Sequence, residues 1–172
     1  MAQVYVSLGS NIEPEQHFCA CLQALSESFK DLRCSTIYHT AAVGFKGEPF
    51  LNTVVGFQTE LTSLAVKLWL RELEEQQGRA RSALKFSART LDLDLLLYND
   101  TVEPAQKLPH PDILTYNFVL QPLAELAPTQ THPVLGKSFT ELATKQLEHT
   151  EALEPIRLDC AVQWQINEQS AL

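Results

Sequence analysis

Residues 88 to 98 read ARTLDLDLLLY, and no other stretch constrains the fold of this chain so tightly. Leu91, Leu93 and Leu95 alternate with Asp92 and Asp94, the period of a strand with one apolar face. Leu96, Leu97 and Tyr98 then follow without a charged partner, as in a strand covered on both faces near its end. Aspartate is a poor strand former. Side chains two apart on a strand point the same way, roughly 6.6–7 Å apart. At an effective dielectric near 20, two carboxylates at about that separation repel by roughly 2 kcal/mol. On its own the pair fits a solvated strand face. Beside so apolar a run it calls for compensation by cations.

The surrounding chain offers such compensation. Arg71, Arg79, Arg81, Lys85 and Arg89 are five of the thirteen basic residues, gathered just upstream of the aspartates. Two carboxylates and a basic cluster outline a phosphoryl-transfer site, with magnesium as the natural ion because it takes carboxylate oxygens, water and substrate phosphates. A solvated helix end and loop would account for the basic cluster alone. The formal charge of −8 argues against nucleic acid as the main partner. No apolar run approaches the roughly 20 residues of a membrane span, and the start, MAQVYVSLGSN, lacks the marks of a secretory signal. A cytoplasmic protein is expected, its four cysteines reduced and, lacking CxxC spacing, not a zinc site.

With 172 residues, 45% of them hydrophobic, the chain is long enough for one domain spanning 1–172. Residues 3 to 8 alternate into a strand, and Phe18, Cys21, Leu22, Leu25 and Phe29 recur at helical spacing from Pro14. Residues 32 to 39 alternate again, and a second long strand runs from Phe50. A second helix is expected from Thr62 or Ser63 to about Gln77, with Leu64, Leu68 and Leu73 inward and Gly78 as its stop. Residues 79 to 89 read as a mobile basic lid, and Leu91 to Tyr98 is the fourth strand. The order β-α-β-β-α-β predicts an α+β fold with a ferredoxin-like core, an antiparallel sheet with both helices on one face. The other face is left for a ligand or further chain, and the proline-rich C-terminal third adds turns and short helices. In IRLDCAVQWQI, residues 156 to 166, strict alternation predicts one further strand that pairs with the sheet edge or with a second copy of the chain.

RTLDLDLLLY resembles the signature of the hydroxymethyl-dihydropterin pyrophosphokinase family of folate biosynthesis. SLGSN at 7 to 11, YHTAAVG at 38 to 44, PFLNTVV at 49 to 55, LEEQQGRAR at 73 to 81 and LPHPDILTYNFVLQPLAELAP at 108 to 128 follow in the family's order. The resemblance implies a ferredoxin-like core, two magnesium ions, ATP as co-substrate, and transfer of its terminal diphosphate to the hydroxymethyl group of a reduced pterin with release of AMP. Carried onto this chain, it makes Asp92 and Asp94 the metal ligands. Arg79 and Arg89 become the catalytic arginines at the phosphates, with Arg81 and Lys85 as supporting charges. Glu74, His110, Arg71 and Tyr116 fall on the nucleotide side. Phe50 and Phe118 match the rings that sandwich the pterin, Asn52 the amide that hydrogen-bonds it, Thr40, Ala41, Ala42 and Val43 its backbone rim, and Phe86 a further ring of the substrate site. An aromatic sandwich suits a flat heterocycle, and an amide can both donate to and accept from its edge.

Five residues at three places depart from the pattern. Phe86-Ser87-Ala88 stands where the family has Trp-Gly-Pro, Tyr116 where it has an arginine, and Arg71 where it has a polar amide. A divergent paralogue that binds pterin or nucleotide without this activity is therefore the alternative reading. A single-strand RNA binder on the same fold is opposed by the negative charge and by the lack of an aromatic pair within one strand. Whether the chain is a monomer or a homodimer stays open.

Overall fold

The computed structural model describes residues 1–42, 47–78 and 90–160 and the backbone of 165–166. Strand β1, Ala2–Ser10, leads into helix α1, Pro14–Ser28, which has proline in its first turn, where no backbone N–H is needed. Strands β2, Lys30–Cys34, and β3, Ile37–Thr40, both pair antiparallel with β4, Phe50–Thr59. Helix α2, Ser63–Gln76, begins at Thr62, whose side chain accepts from Ala65 N at 3.2 Å, and stops at Gly78, whose φ of 87° suits glycine. Strand β5, Asp92–Tyr98, completes the core. The short helix α3, Asp112–Thr115, follows, then α4, Asn117–Leu126, and α5, Phe139–Leu147, the last opened by a capping box between Ser138 and Glu141.

The core strands lie in the order β5-β1-β4-β2, all antiparallel, as the ferredoxin-like reading requires. The expected second strand is divided. Ser35 and Thr36 step out of line between β2 and β3, and the step is satisfied internally: Ser35 N–H donates to Val54 O at 2.9 Å and Ser35 Oγ lies 2.8 Å from Thr53 Oγ1. Glu125 of α4 accepts from Thr36 N and from the Tyr38 hydroxyl, so the step is also bolted to the helix above it.

Apolar residues fill both faces of the sheet. Val4, Val6 and Leu8 of β1 and Leu93 and Leu95 of β5 pack with Phe18 and Leu22 of α1 and Val66, Leu70 and Leu73 of α2. On the opposite face Tyr5, Val54, Leu96 and Leu97 meet Val119, Leu120, Leu123 and Phe139 of α4 and α5. The face left open in the sequence reading is thus covered by the chain's own C-terminal third. Each such side chain contributes roughly 1.5–3 kcal/mol on full burial. A bulge explains the leucine run of β5: Tyr5 is opposite Leu97 and Val6 opposite Leu95, which leaves Leu96 as an extra residue and turns Leu96 and Leu97 toward the same layer.

Three sequence expectations need correction. Leu64 and Leu68 are exposed at 58% and 53%, whereas Val66 and Leu70 are buried with Leu73. The inward stripe of α2 therefore runs at spacings of four and three, which the 64, 68, 73 set does not keep. The single C-terminal strand is also not formed. Strand β6, Glu154–Ile156, pairs antiparallel with β3, and β7, Gln165–Ile166, pairs parallel with β2. Because β2 and β3 are offset by the step at Ser35, their outer edges take two short strands; Ala161 to Trp164 lie outside the described residues. The cysteines are not all reduced. Cys19 of α1 is bonded to Cys160 with Cα atoms 5.3 Å apart, while Cys21 and Cys34 are free and buried.

Candidate active site

The acidic pair stands on β5, with Asp92 opposite Gly9 and Asp94 opposite Ser7 of β1. Leu93 between them is buried in the α1–α2 core, so strand alternation turns both carboxylates to the other side, where each is half-buried. The strand is held at several points. Ser10 Oγ donates to Thr90 O where β5 begins, Glu74 Oε1 accepts from Leu93 N at 2.8 Å, and His110 N donates to Leu96 O at 2.9 Å.

That last bond brings the His110 ring against Asp94. Its Nε2 is 3.9 Å from Asp94 Oδ1, while Nδ1 accepts from Asp112 N at 3.3 Å and lies 3.8 Å from Asp112 Oδ2. With Nδ1 accepting from a backbone amide, Nε2 is the ring atom turned toward Asp94. One ligand atom from each of Asp94, His110 and Asp112 lies within 4.8 Å of the others, a set that could hold a metal ion. Asp112 escaped the sequence reading, although its place two residues after His110 in HPD was the available signal.

Asp94 and His110 also face a cleft of about 320 Å³ lined by Lys67, Arg71 and Glu74 of α2 together with Gln106 and Lys107. Lys67 Nζ donates to Gln106 O, and burial, with Lys107 nearby, pulls the Lys67 ammonium below its usual range. Arg71 is ion-paired along its own helix, its Nε 3.4 Å from Glu75 Oε1. The two lysines are further residues that sequence reasoning missed, since neither lies in the basic cluster.

A second group of side chains meets the first across Gly9. A Cβ built on Gly9 would stand 3.1 Å from Asn52 Oδ1, 3.8 Å from Phe50 Cδ1 and 4.0 Å from Asp92 Cβ. The glycine of SLGSN thus lies where the amide, the aromatic ring and the first aspartate converge. Asn52 is buried and its Nδ2 donates to Thr40 Oγ1 at 2.6 Å, tying β4 to the end of β3, from which Ala41 and Ala42 continue. The half-buried ring of Phe118 stacks on Tyr116, with centroids 4.9 Å apart at 18°. Tyr116 and Phe118 thus form one stacked aromatic pair. Val43, Arg79, Arg81, Lys85, Phe86 and Arg89 lie outside the described residues, as does the expected lid at 79–89.

The architecture is that of a ferredoxin-like α+β protein, and the side chains it gathers are of the kinds that handle cations, phosphates and a flat ring. Residues 5–128 match the family 7,8-dihydro-6-hydroxymethylpterin-pyrophosphokinase (HPPK). A 2-amino-4-hydroxy-6-hydroxymethyldihydropteridine pyrophosphokinase of Pseudomonas aeruginosa is 39% identical over 147 residues, covering 81% of this chain and 89% of its own. One from Haemophilus influenzae is 33% identical over 155 residues, 87% of this chain and 96% of its own. The chain belongs to the HPPK family. Among solved structures, a Plasmodium falciparum HPPK-DHPS superposes on 86% of this chain with a TM-score of 0.67 at 13% identity, a likeness of fold. This chain spans 46% of that longer one.

Proposed function

We propose that this protein transfers the terminal diphosphate of ATP to the hydroxymethyl group of 6-hydroxymethyl-7,8-dihydropterin, releasing AMP, as a step of folate biosynthesis. The observation that carries the reading is the meeting of Asp92 with Asn52 and Phe50 over Gly9, because it brings a carboxylate beside an amide and an aromatic ring of the kinds that suit a metal-bound phosphate and a flat heterocycle. In the reaction the hydroxymethyl oxygen forms a bond to the β-phosphorus, the bond from that phosphorus to the α,β-bridging oxygen breaks, and AMP leaves with the bridging oxygen. The hydroxyl proton passes to solvent.

Asn52 orients the heterocycle through its amide, and the tie to Thr40 fixes which way that amide points. Phe50 and Phe118 take its two faces, and Thr40 to Val43 its rim. His110, with Nδ1 already engaged, offers Nε2–H to a phosphate oxygen. The cleft beside Lys67, Arg71 and Lys107 takes the nucleotide, and the family resemblance assigns Tyr116 to the same side. Arg79 and Arg89, supported by Arg81 and Lys85, neutralise phosphate charge, and Phe86 binds on the substrate side.

The donor set fits magnesium. Asp92 and Asp94 offer carboxylate oxygens from one side of a strand, and Asp112 adds another beside Asp94. Two magnesium ions held by Asp92 and Asp94 would supply charge neutralisation at the phosphate oxygens. Positioning and electrostatics then suffice without a strong general base. ATP and a reduced pterin place the reaction in the cytoplasm, and both partners are small molecules.

Incubating the protein with ATP, magnesium and the hydroxymethyl-dihydropterin should release AMP in step with pterin diphosphate. The departures at 86–88 and at Tyr116 favour a second reading, a paralogue that binds the same ligands without turnover. Saturable pterin or nucleotide binding without AMP would establish that reading in place of the first.

A further inference from the structure

We infer that Glu74 is a positioning residue for the paired aspartates, acting through the backbone between them; this rests on the functional reading above. Glu74 is 6% exposed and sits in the last turn of α2. Both facts disfavour a carboxylate, since burial penalises the charge and the C-terminal end of a helix is its negative end. The residue is nevertheless acidic, and its Oε1 accepts the N–H of Leu93 at 2.8 Å, on the residue between Asp92 and Asp94.

Among the described residues, strand β5 lies at the edge of the sheet, paired with β1 alone. Its outer backbone groups need partners from elsewhere. His110 N supplies one at Leu96 O, beyond both aspartates, and Ser10 Oγ supplies one at Thr90 O, before them. Among the described residues, Glu74 is the side chain that bonds the backbone of the strand between the two carboxylates. A neutral acceptor of the same shape should do this work as well as a charged one, which separates positioning from an electrostatic or nucleotide-contact role.

The test uses the full chain, with Glu74→Gln and Glu74→Ala variants, read by amide exchange at Leu93 and by steady-state AMP release with ATP and pterin varied separately. Glu74→Gln should keep Leu93 protected and kcat within about threefold of wild type. Glu74→Ala should speed Leu93 exchange by about tenfold or more and lower kcat by a similar factor, while KM for ATP stays within about threefold. A rise in KM for ATP at constant kcat would overturn the inference in favour of nucleotide contact. A Gln variant with Leu93 protected but kcat lost would overturn it in favour of charge, and that comparison decides the matter even if the Ala variant does not fold. A lower Tm with kcat unchanged would leave only a structural role, again against the inference. Wild-type protein that releases no AMP would overturn the functional reading and this inference's catalytic half with it. Unchanged Leu93 exchange in a folded Ala variant would sink the inference while wild-type turnover stands.

Discussion

Gly9 and Asn52 approach so closely that a single added methyl on Gly9 would stand 3.1 Å from the Asn52 amide oxygen. The amide cannot swing aside freely, because its nitrogen is bonded to Thr40 Oγ1 at 2.6 Å. Gly9→Ala should therefore displace the group proposed to read the heterocycle. The expected result is a KM for the pterin raised by about tenfold, with Tm changed by only a few degrees. Steady-state kinetics at saturating ATP would measure it, and an unchanged KM would remove Asn52 from the pterin site.

Asp92→Ala and Asp94→Ala should each lower AMP release by about a thousandfold or more at saturating magnesium and ATP. Their melting temperatures should stay within a few degrees of wild type, since both side chains are only half-buried. Near-normal turnover in either variant would show that the carboxylates do not hold the metal.

The Cys19–Cys160 bond closes a sequence separation of 141 residues. In the chain-entropy account a crosslink over so long a loop is worth up to about 4–5 kcal/mol. Cys160→Ser should melt several degrees below wild type without reductant, and the two should melt together in excess dithiol. Differential scanning calorimetry under both conditions checks this.

Burial pushes the Cys34 thiol up to about 11 from an ordinary 9.0. Cys21, likewise buried, is pushed up further, in the same direction. Between the unfolded and folded values the unfolded chain has lost a proton that the fold retains, so stability is complete below pH 9 and falls as pH rises toward 11. For Cys34 alone the loss is roughly 3 kcal/mol across that window. Denaturant unfolding of wild type and Cys34→Ala from pH 8 to 11 should show a shallower alkaline decline in the variant.

Much of this structure was legible in residue order. The alternation in β1 and β5, the helical spacing of Phe18, Cys21, Leu22 and Leu25, and the carboxylates at 92 and 94 each carry a local period that survives folding. What stayed hidden depended on partners distant in sequence. The phase of α2 was misread because exposed Leu64 and Leu68 look like core residues until the sheet beneath them is placed. The tail was read as one strand because its alternation gives no hint that the receiving edge is stepped at Ser35. Asp112, Lys67 and Lys107 join the site only through chain crossings that bring their segments beside β5, and the pairing of Cys19 with Cys160 follows from no spacing rule.

The bulge at Leu96 has a consequence for how β5 can vary. Upstream of it, odd-numbered residues face the α1–α2 layer; downstream, Leu97 faces the opposite layer and Tyr98 packs with the first. The extra residue inverts the parity of the strand, so the aspartates and the terminal anchor can each sit on the side they need. Loss of Leu96 alone would restore strict alternation, leaving both aspartates on one side, Leu97 opposite Tyr5 and Tyr98 with the first layer, and would take one buried leucine from the opposite layer. Deleting one leucine of the run should therefore remove the bulge while the two-sided pattern of the strand is kept.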